Sequence, residues 1–240
     1  MDPFFTVIIP TCQRHEELNR AVCSVISQTL KDFELIIVNN GDDELNIAVK
    51  DERIKILPEK RKGANYARNT GIENSQGQFI CFLDDDDIYL NNHLATLYNL
   101  IKGHSGKAAM YRTYTKIEKV KGEFVDQPIV MKHLDQTSLD HIFSVLLFMA
   151  CVCCHRDVLK EIKFDPLIPV AQDYHLWSRI LVKYPLIEIP IITTVYNKTN
   201  NSISSPSLEA YQNYIKVYGD LFKKDVFIKG ITRKTRKNKS

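Results

Sequence analysis

Through the first hundred residues, short continuous apolar runs alternate with stretches whose apolar positions recur at helical spacing. Phe4-Phe5-Thr6-Val7-Ile8-Ile9-Pro10 has no polar alternation, which predicts a strand buried on both faces and ended by the proline. Leu18, Ala21, Val22, Val25 and Ile26 then line one helix face. Phe33 to Val38 reads as a second buried strand, and it runs into the turn-rich Asn39-Asn40-Gly41-Asp42-Asp43. Arg53 to Leu57 alternates polar and apolar residues, as a less buried strand would. Ala64 to Ile72 looks helical, and Gln78 to Leu83 is a further apolar strand that stops at four consecutive aspartates, Asp84 to Asp87. Strands alternating with helices imply parallel pairing through right-handed crossovers, hence an open α/β sheet.

The second half reads differently. Met110 to Val130 contains β-rich stretches around Gly122 that predict antiparallel strands. The apolar run from Val145 to Cys154 is expected to be a buried strand ending at the polar His155-Arg156-Asp157. A helix is expected over Gln172 to Lys183, a strand over Ile187 to Tyr196, and a helix over Leu208 to Lys223 after a Ser/Asn-rich loop. No linker-like composition separates the halves. One domain over residues 1–225 is therefore predicted, made of lobes 1–105 and 106–225 and followed by a flexible basic tail over 226–240.

Composition narrows the class. In 240 residues, 44% hydrophobic content supports a sizeable core, while 25% charged residues with only 9 Gly and 9 Pro exclude disordered and fibrous classes. The net charge of +3 conceals a split: residues 229–240 hold Lys229, Arg233, Lys234, Arg236, Lys237 and Lys239 and no acid, leaving 26 cations against 29 acids elsewhere. An acidic body argues against a nucleic-acid partner. The start of the chain lacks a basic region and runs straight into a strand-like segment, so a secretory signal is not expected, and the longest apolar run, 142–154, is shorter than the roughly 20 residues a membrane span needs. Six cysteines fall mostly within apolar runs, where they act as small hydrophobes; Cys151-Val152-Cys153-Cys154-His155 matches a haem-attachment spacing but reads as a strand end. The expected location is the cytoplasm.

In an open parallel sheet, ligands bind beyond the carboxyl ends of the strands. Those ends carry Thr11-Cys12-Gln13-Arg14, Asn39-Asn40-Gly41-Asp42 and the aspartate quartet, so three polar clusters are expected on one edge. Adjacent carboxylates repel one another, and a hard divalent cation relieves that repulsion; the competing reading is an acidic turn capping a helix after Ile88. Ala64, Ala67 and Gly71 form a small-residue stripe that allows close backbone approach. Arg68 beside it suits either an anionic ligand or a structural pair with the acidic loop. Neither a dinucleotide glycine fingerprint nor a phosphate-loop Lys-Ser/Thr signature occurs.

Val7-Ile8-Ile9-Pro10-Thr11 with Arg14, Glu34 to Gly41, Ala67 to Gly71, Phe82 to Asp87, His155-Arg156 with Phe164-Asp165, and Gln172 to Arg179 together resemble the family 2 glycosyltransferases, over roughly residues 5 to 205. The resemblance implies a GT-A (Rossmann-like) α/β fold: a mixed, mostly parallel sheet flanked by helices, with a smaller antiparallel portion on the acceptor side. It also implies inverting transfer of a sugar from a nucleoside diphosphate sugar, with a UDP-sugar the expected donor, to a saccharide or lipid-linked saccharide hydroxyl. Residues 1–105 would then be the donor half and 106–225 the acceptor half. Carried over by position, Pro10, Thr11, Arg14, Asn40, Arg68, Asp84 and Asp85 bind the nucleotide sugar, Asp86 and Asp84 hold Mg²⁺ or Mn²⁺, and Asp173 is the catalytic base. The sequence departs from the family pattern at Asn40, where an acid is common, at Gln172, where Glu is usual, and at Thr199, where a His is usual. These departures motivate the alternative of a non-catalytic nucleotide-sugar-binding protein. The +6 tail is expected either to touch an anionic membrane surface, making the protein peripheral at its inner face, or to be a solubilising end.

Overall fold

The computed structural model describes residues 2–104, 110–119, 123–126, 148–168, 172–181 and 183–197. The predicted alternation appears in it: β1 (Phe5–Thr11), α1 (His15–Ile26), β2 (Phe33–Asn39), β3 (Ile54–Pro58), α2 (Ala64–Glu73) and β4 (Phe79–Phe82). There follow β5 (Ile88–Tyr89), α3 (His93–Gly103), β6 (Met110–Lys119), β7 (Glu123–Asp126), β8 (Val152–His155), α4 (Arg156–Glu161), α5 (Gln172–Leu181) and β9 (Leu186–Asn197). Among the described residues the strands make one mixed sheet in the order β3-β2-β1-β4-β8-β6-β9-β5, with β7 paired to β6.

The continuous apolar runs arise because helices cover both faces. Alternate residues of each central strand enter two separate cores. Phe5, Val7 and Ile9 of β1, Leu35 and Ile37 of β2, and Cys81 of β4 pack with Leu18, Val22 and Val25 of α1 and with Leu94 and Leu97 of α3. Ile8, Ile36, Ile80 and Phe82 face the other way, onto Ala67 and Ile72 of α2 and onto Trp177 of α5. Trp177 is completely buried in this second core. The small-residue stripe on α2 serves close approach: a Cβ on Gly71 would stand 2.5 Å from Ile8 Cγ2. Among the described residues the alternating β3 forms one edge of the sheet, paired with β2.

β1, β2, β3 and β4 are parallel, and the register sets Thr11 beside Asn39 and Asn39 beside Pro58. Their carboxyl ends therefore share one edge. Beyond β4, strand β8 pairs antiparallel with both β4 and β6. β9 then joins β6 in parallel, with shifts of register between Arg112 and Thr115, a direction that local pattern does not encode.

Two expectations change, while the strand end expected at His155 is present. Met149–Cys151, placed in a strand by its hydrophobicity, is a 3₁₀ turn closed by Cys151 N–H onto the Phe148 carbonyl, and the strand begins only at Val152. A short apolar run has no period to separate strand from turn. The quartet leads not into a helix after Ile88 but into the two-residue strand β5, antiparallel to β9, and the helix starts at His93. His155, which completes the haem-like spacing, accepts the Asp157 N–H and so caps α4. The helix expected over 208–223, the loop with Thr199, and the basic tail lie outside the described residues.

Candidate active site

The polar ends of β1, β2 and β4 meet as expected. The quartet is a turn, with Asp87 N–H bonded to the Asp84 carbonyl at 3.0 Å, and it presents its carboxylates to three separate elements. Thr11, at the end of β1, donates its hydroxyl to Asp85 Oδ2 at 2.8 Å. Arg14, between β1 and α1, donates from Nη1 to Asp86 Oδ2 at 2.8 Å and to Asp85 Oδ1 at 3.2 Å. Arg68, on α2, donates from Nη2 to Asp84 Oδ1 at 2.6 Å. The fourth acid, Asp87, is buried and accepts the Asn197 N–H at 3.0 Å, while Asn197 Nδ2 donates to the Asp86 carbonyl at 2.6 Å.

Crowding and burial set the electrostatics. Burial pushes the Asp85 carboxyl up to about 6, against the hydroxyl of Thr11 and the charge of Arg14. Asp86 is also raised, first by burial and then by the charge of Asp84. Asp87 is raised well above the ordinary carboxylate range by burial and by Asp84. Among the described residues the acids thus outnumber their two arginine partners.

Arg68 settles which of its two readings describes the protein alone. Its second terminal nitrogen donates to Gln172 Oε1 at 2.8 Å, and its guanidinium lies 5.4 Å over the Phe164 ring. One side chain therefore ties Asp84 to the first residue of α5. Asp173 follows directly. It is partly exposed to solvent, yet burial pushes its carboxyl up to about 6; the Tyr174 N–H and Arg68 pull it down and Asp84 pushes it further up. A carboxyl so placed is ionised at neutral pH and is a stronger base than a free one.

Two carried-over residues have other tasks in the structure. Asn40 is 6% exposed, and its amide is spent on backbone: Nδ2 donates to the carbonyls of Glu59 and Arg61, and Oδ1 accepts the Gly63 N–H. It shapes the loop between β3 and α2, and both of its donor hydrogens are already used. Pro10 is buried within β1 beside Val38 of β2, behind the edge rather than on it.

Other contributors escaped the sequence reading. Asn65 and Asn69, one turn apart on α2, bolt down the segment before α5: Asn65 Nδ2 donates to the carbonyls of Asp165 and Ile168, and Asn69 bonds both backbone groups of Phe164. Their spacing of four was the available signal. Asn197 gave none, since its partner is 110 residues away.

Among the described residues no three His, Cys, Asp or Glu side chains converge to hold an ion by themselves. Asp84 and Asp86 do suit a hard cation that completes its shell with phosphate and water, because both offer carboxylate oxygens at a site with surplus negative charge. No helix among the described residues is long and apolar enough to cross a membrane.

Comparison with known proteins agrees with this geometry. The sequence pattern of "Glycosyl transferase family 2" matches residues 6–162. The UDP-Glc:alpha-D-GlcNAc-diphosphoundecaprenol beta-1,3-glucosyltransferase WfgD of Escherichia coli is 28% identical over 231 residues, covering 91% of this chain and 87% of WfgD. The poly(ribitol-phosphate) beta-N-acetylglucosaminyltransferase TarP of Staphylococcus aureus is 31% identical over 185 residues, 70% of this chain, which spans only about half (54%) of TarP. Among solved structures, S. aureus TarS 1–349 in complex with UDP-GlcNAc superposes with a TM-score of 0.70 at 18% identity, covering 89% of this chain and 64% of that one. The mannosyltransferase PcManGT of Pyrobaculum calidifontis, in complex with GDP-Man and Mn²⁺, gives 0.60 at 15% identity over 84% of this chain and 59% of its own. Sequence pattern, sheet order and the polar edge therefore agree that this chain belongs to glycosyl transferase family 2 and is a glycosyltransferase of the GT-A fold.

Proposed function

We propose that this enzyme transfers a sugar from a UDP-sugar to a hydroxyl of a lipid-linked saccharide, by single displacement with inversion and with a divalent cation. The observation that carries the reading is the Asp84–Arg68–Gln172 bridge, which sets Asp173 beside the acid quartet. Donor and acceptor chemistry need that proximity, because the proton leaves the attacking hydroxyl as the diphosphate departs. The lipid-linked acceptor and the UDP donor are suggested by the names of WfgD and of the TarS complex.

Asp86 and Asp84 would hold Mg²⁺ or Mn²⁺, whose charge would stabilise the departing diphosphate. Thr11 and Arg14 orient Asp85, the candidate for the ribose. Asp173 takes the proton of the acceptor hydroxyl, on the side of the sugar away from the leaving group. Arg68 holds α5 in register with the quartet and, after the Tyr174 N–H, favours the ionised form of Asp173. The basic tail would bring the enzyme to an anionic membrane surface, near an acceptor of this kind.

The test is sugar release and transfer from a panel of nucleoside diphosphate sugars to an undecaprenyl-diphosphate-linked saccharide, with Mn²⁺ or with chelator. Transfer should need the cation, and Asp173→Asn should lower it by about 10³-fold while UDP binding persists. Undiminished transfer by that variant would remove Asp173 from the role.

A further inference from the structure

The two arginines that face the quartet are held in different ways. Arg68 is enclosed: its side chain is 8% exposed, its two terminal nitrogens have separate partners, and Phe164 lies under the guanidinium. Arg14 is 30% exposed and meets the acids through one nitrogen, Nη1, which Asp85 and Asp86 share. A single shared nitrogen lacks the two parallel bonds that make a guanidinium–carboxylate pair strong. Arg14 also follows Gln13, whose φ of 57° is unusual for a residue other than glycine. That left-handed turn carries the chain from β1 back over the sheet edge into α1. The side chain on Asp86 is thus held by position and charge, at the solvent side of the site.

We infer that Arg14 is a displaceable counter-ion: it neutralises Asp86 while the site lacks a divalent cation, and gives up that carboxylate when the cation binds. The inference rests on the proposed cation reading of Asp84 and Asp86. Cation and guanidinium compete for Asp86, because both draw on the single negative charge of that carboxylate and repel each other when held beside it. The released guanidinium stays on the edge where the donor's diphosphate lies, and there it gains an anionic partner. Arg14 therefore opposes cation binding alone and favours binding of cation and nucleotide together. Such coupling is reciprocal, so each ligand tightens the other by the same factor.

The measurement is Mn²⁺ binding, followed by the electron paramagnetic resonance of free aqueous Mn²⁺, with and without UDP. Wild type should bind Mn²⁺ weakly alone and much more tightly with UDP. Arg14→Gln should bind Mn²⁺ alone about tenfold more tightly than wild type, and the enhancement by UDP should shrink by a similar factor. Circular dichroism checks the fold of the variant; should it not fold, Arg14→Lys, a compact cation unable to fork, should move both quantities in the same direction by less. Mn²⁺ affinity that is unchanged or weaker in the variant, with UDP enhancement intact, would overturn the exchange alone. Absence of Mn²⁺ binding by wild type even with UDP would overturn the cation reading, and the exchange with it.

Discussion

Asp173 and Asn40 both stand where the family pattern places a site residue, and their surroundings separate them. Asn40 has lost its freedom to three backbone groups, and it supports the site by shaping the loop over Glu59–Gly63. Asp173 keeps a carboxyl that burial raises, at a cost in stability. Its folded value of about 6 lies above the usual carboxylate range, so the folded state holds this proton more tightly than the unfolded chain does. The associated stability is complete below about pH 4 and is lost as pH rises through 6. Asp173→Asn, which mimics the protonated form, should therefore be more stable than wild type by about 3 kcal/mol at pH 7.5, and equal to it below about pH 3. Urea unfolding at the two pH values checks this, and an inactive yet stabilised variant is the expected outcome.

At the scale of elements, close packing of the central strands leaves little room at particular points. Gly77 precedes β4, and a Cβ there would stand 2.4 Å from Phe5 C and Thr6 N, both of them backbone that cannot give way. Its N–H also donates to the Thr6 hydroxyl oxygen at 2.9 Å. Gly77→Ala should cost at least about 2 kcal/mol. Gly103, at the end of α3, has nothing within 4 Å of such a carbon, and Gly103→Ala should be neutral or stabilise by up to about 1 kcal/mol. Thermal unfolding of the two variants beside wild type distinguishes packing from helix propensity. Segment 163–168, ahead of α5, shows the same logic: it has no helix or strand of its own, and the two asparagines of α2 fix it in place.

At the scale of the molecule, several buried polar groups tie the mixed part of the sheet together. Arg112 of β6 is wholly buried, 3.3 Å from Glu188 of β9 and with its guanidinium 4.4 Å over the Tyr114 ring. His93 is wholly buried between α3 and β9, with Nδ1 2.7 Å from the Thr193 hydroxyl, and burial lowers its pKa to about 3. The unfolded chain takes up that proton near 6.5 while the folded one does not, so stability falls as pH drops below 6.5. His93→Gln should lack this term, so that wild type loses about 2 kcal/mol relative to the variant between pH 7 and pH 5. Comparing the two proteins isolates His93 from Asp85 and Asp173, which act with the opposite sign in the same window. The parallel strands, their burial on both faces and the shared polar edge of Thr11, Asn39 and the quartet were legible in the sequence alone, because the period of a strand and the residues that end it are local properties. The order β8-β6-β9-β5, the clamp of Asn197 on the quartet and the bridge from Arg68 to Gln172 were decided only by the tertiary structure. Each depends on groups some 40 to 110 residues apart in the chain. Their meeting is selected by packing of the whole sheet and by the need of buried polar groups for partners, and hydrophobic periodicity carries no record of either.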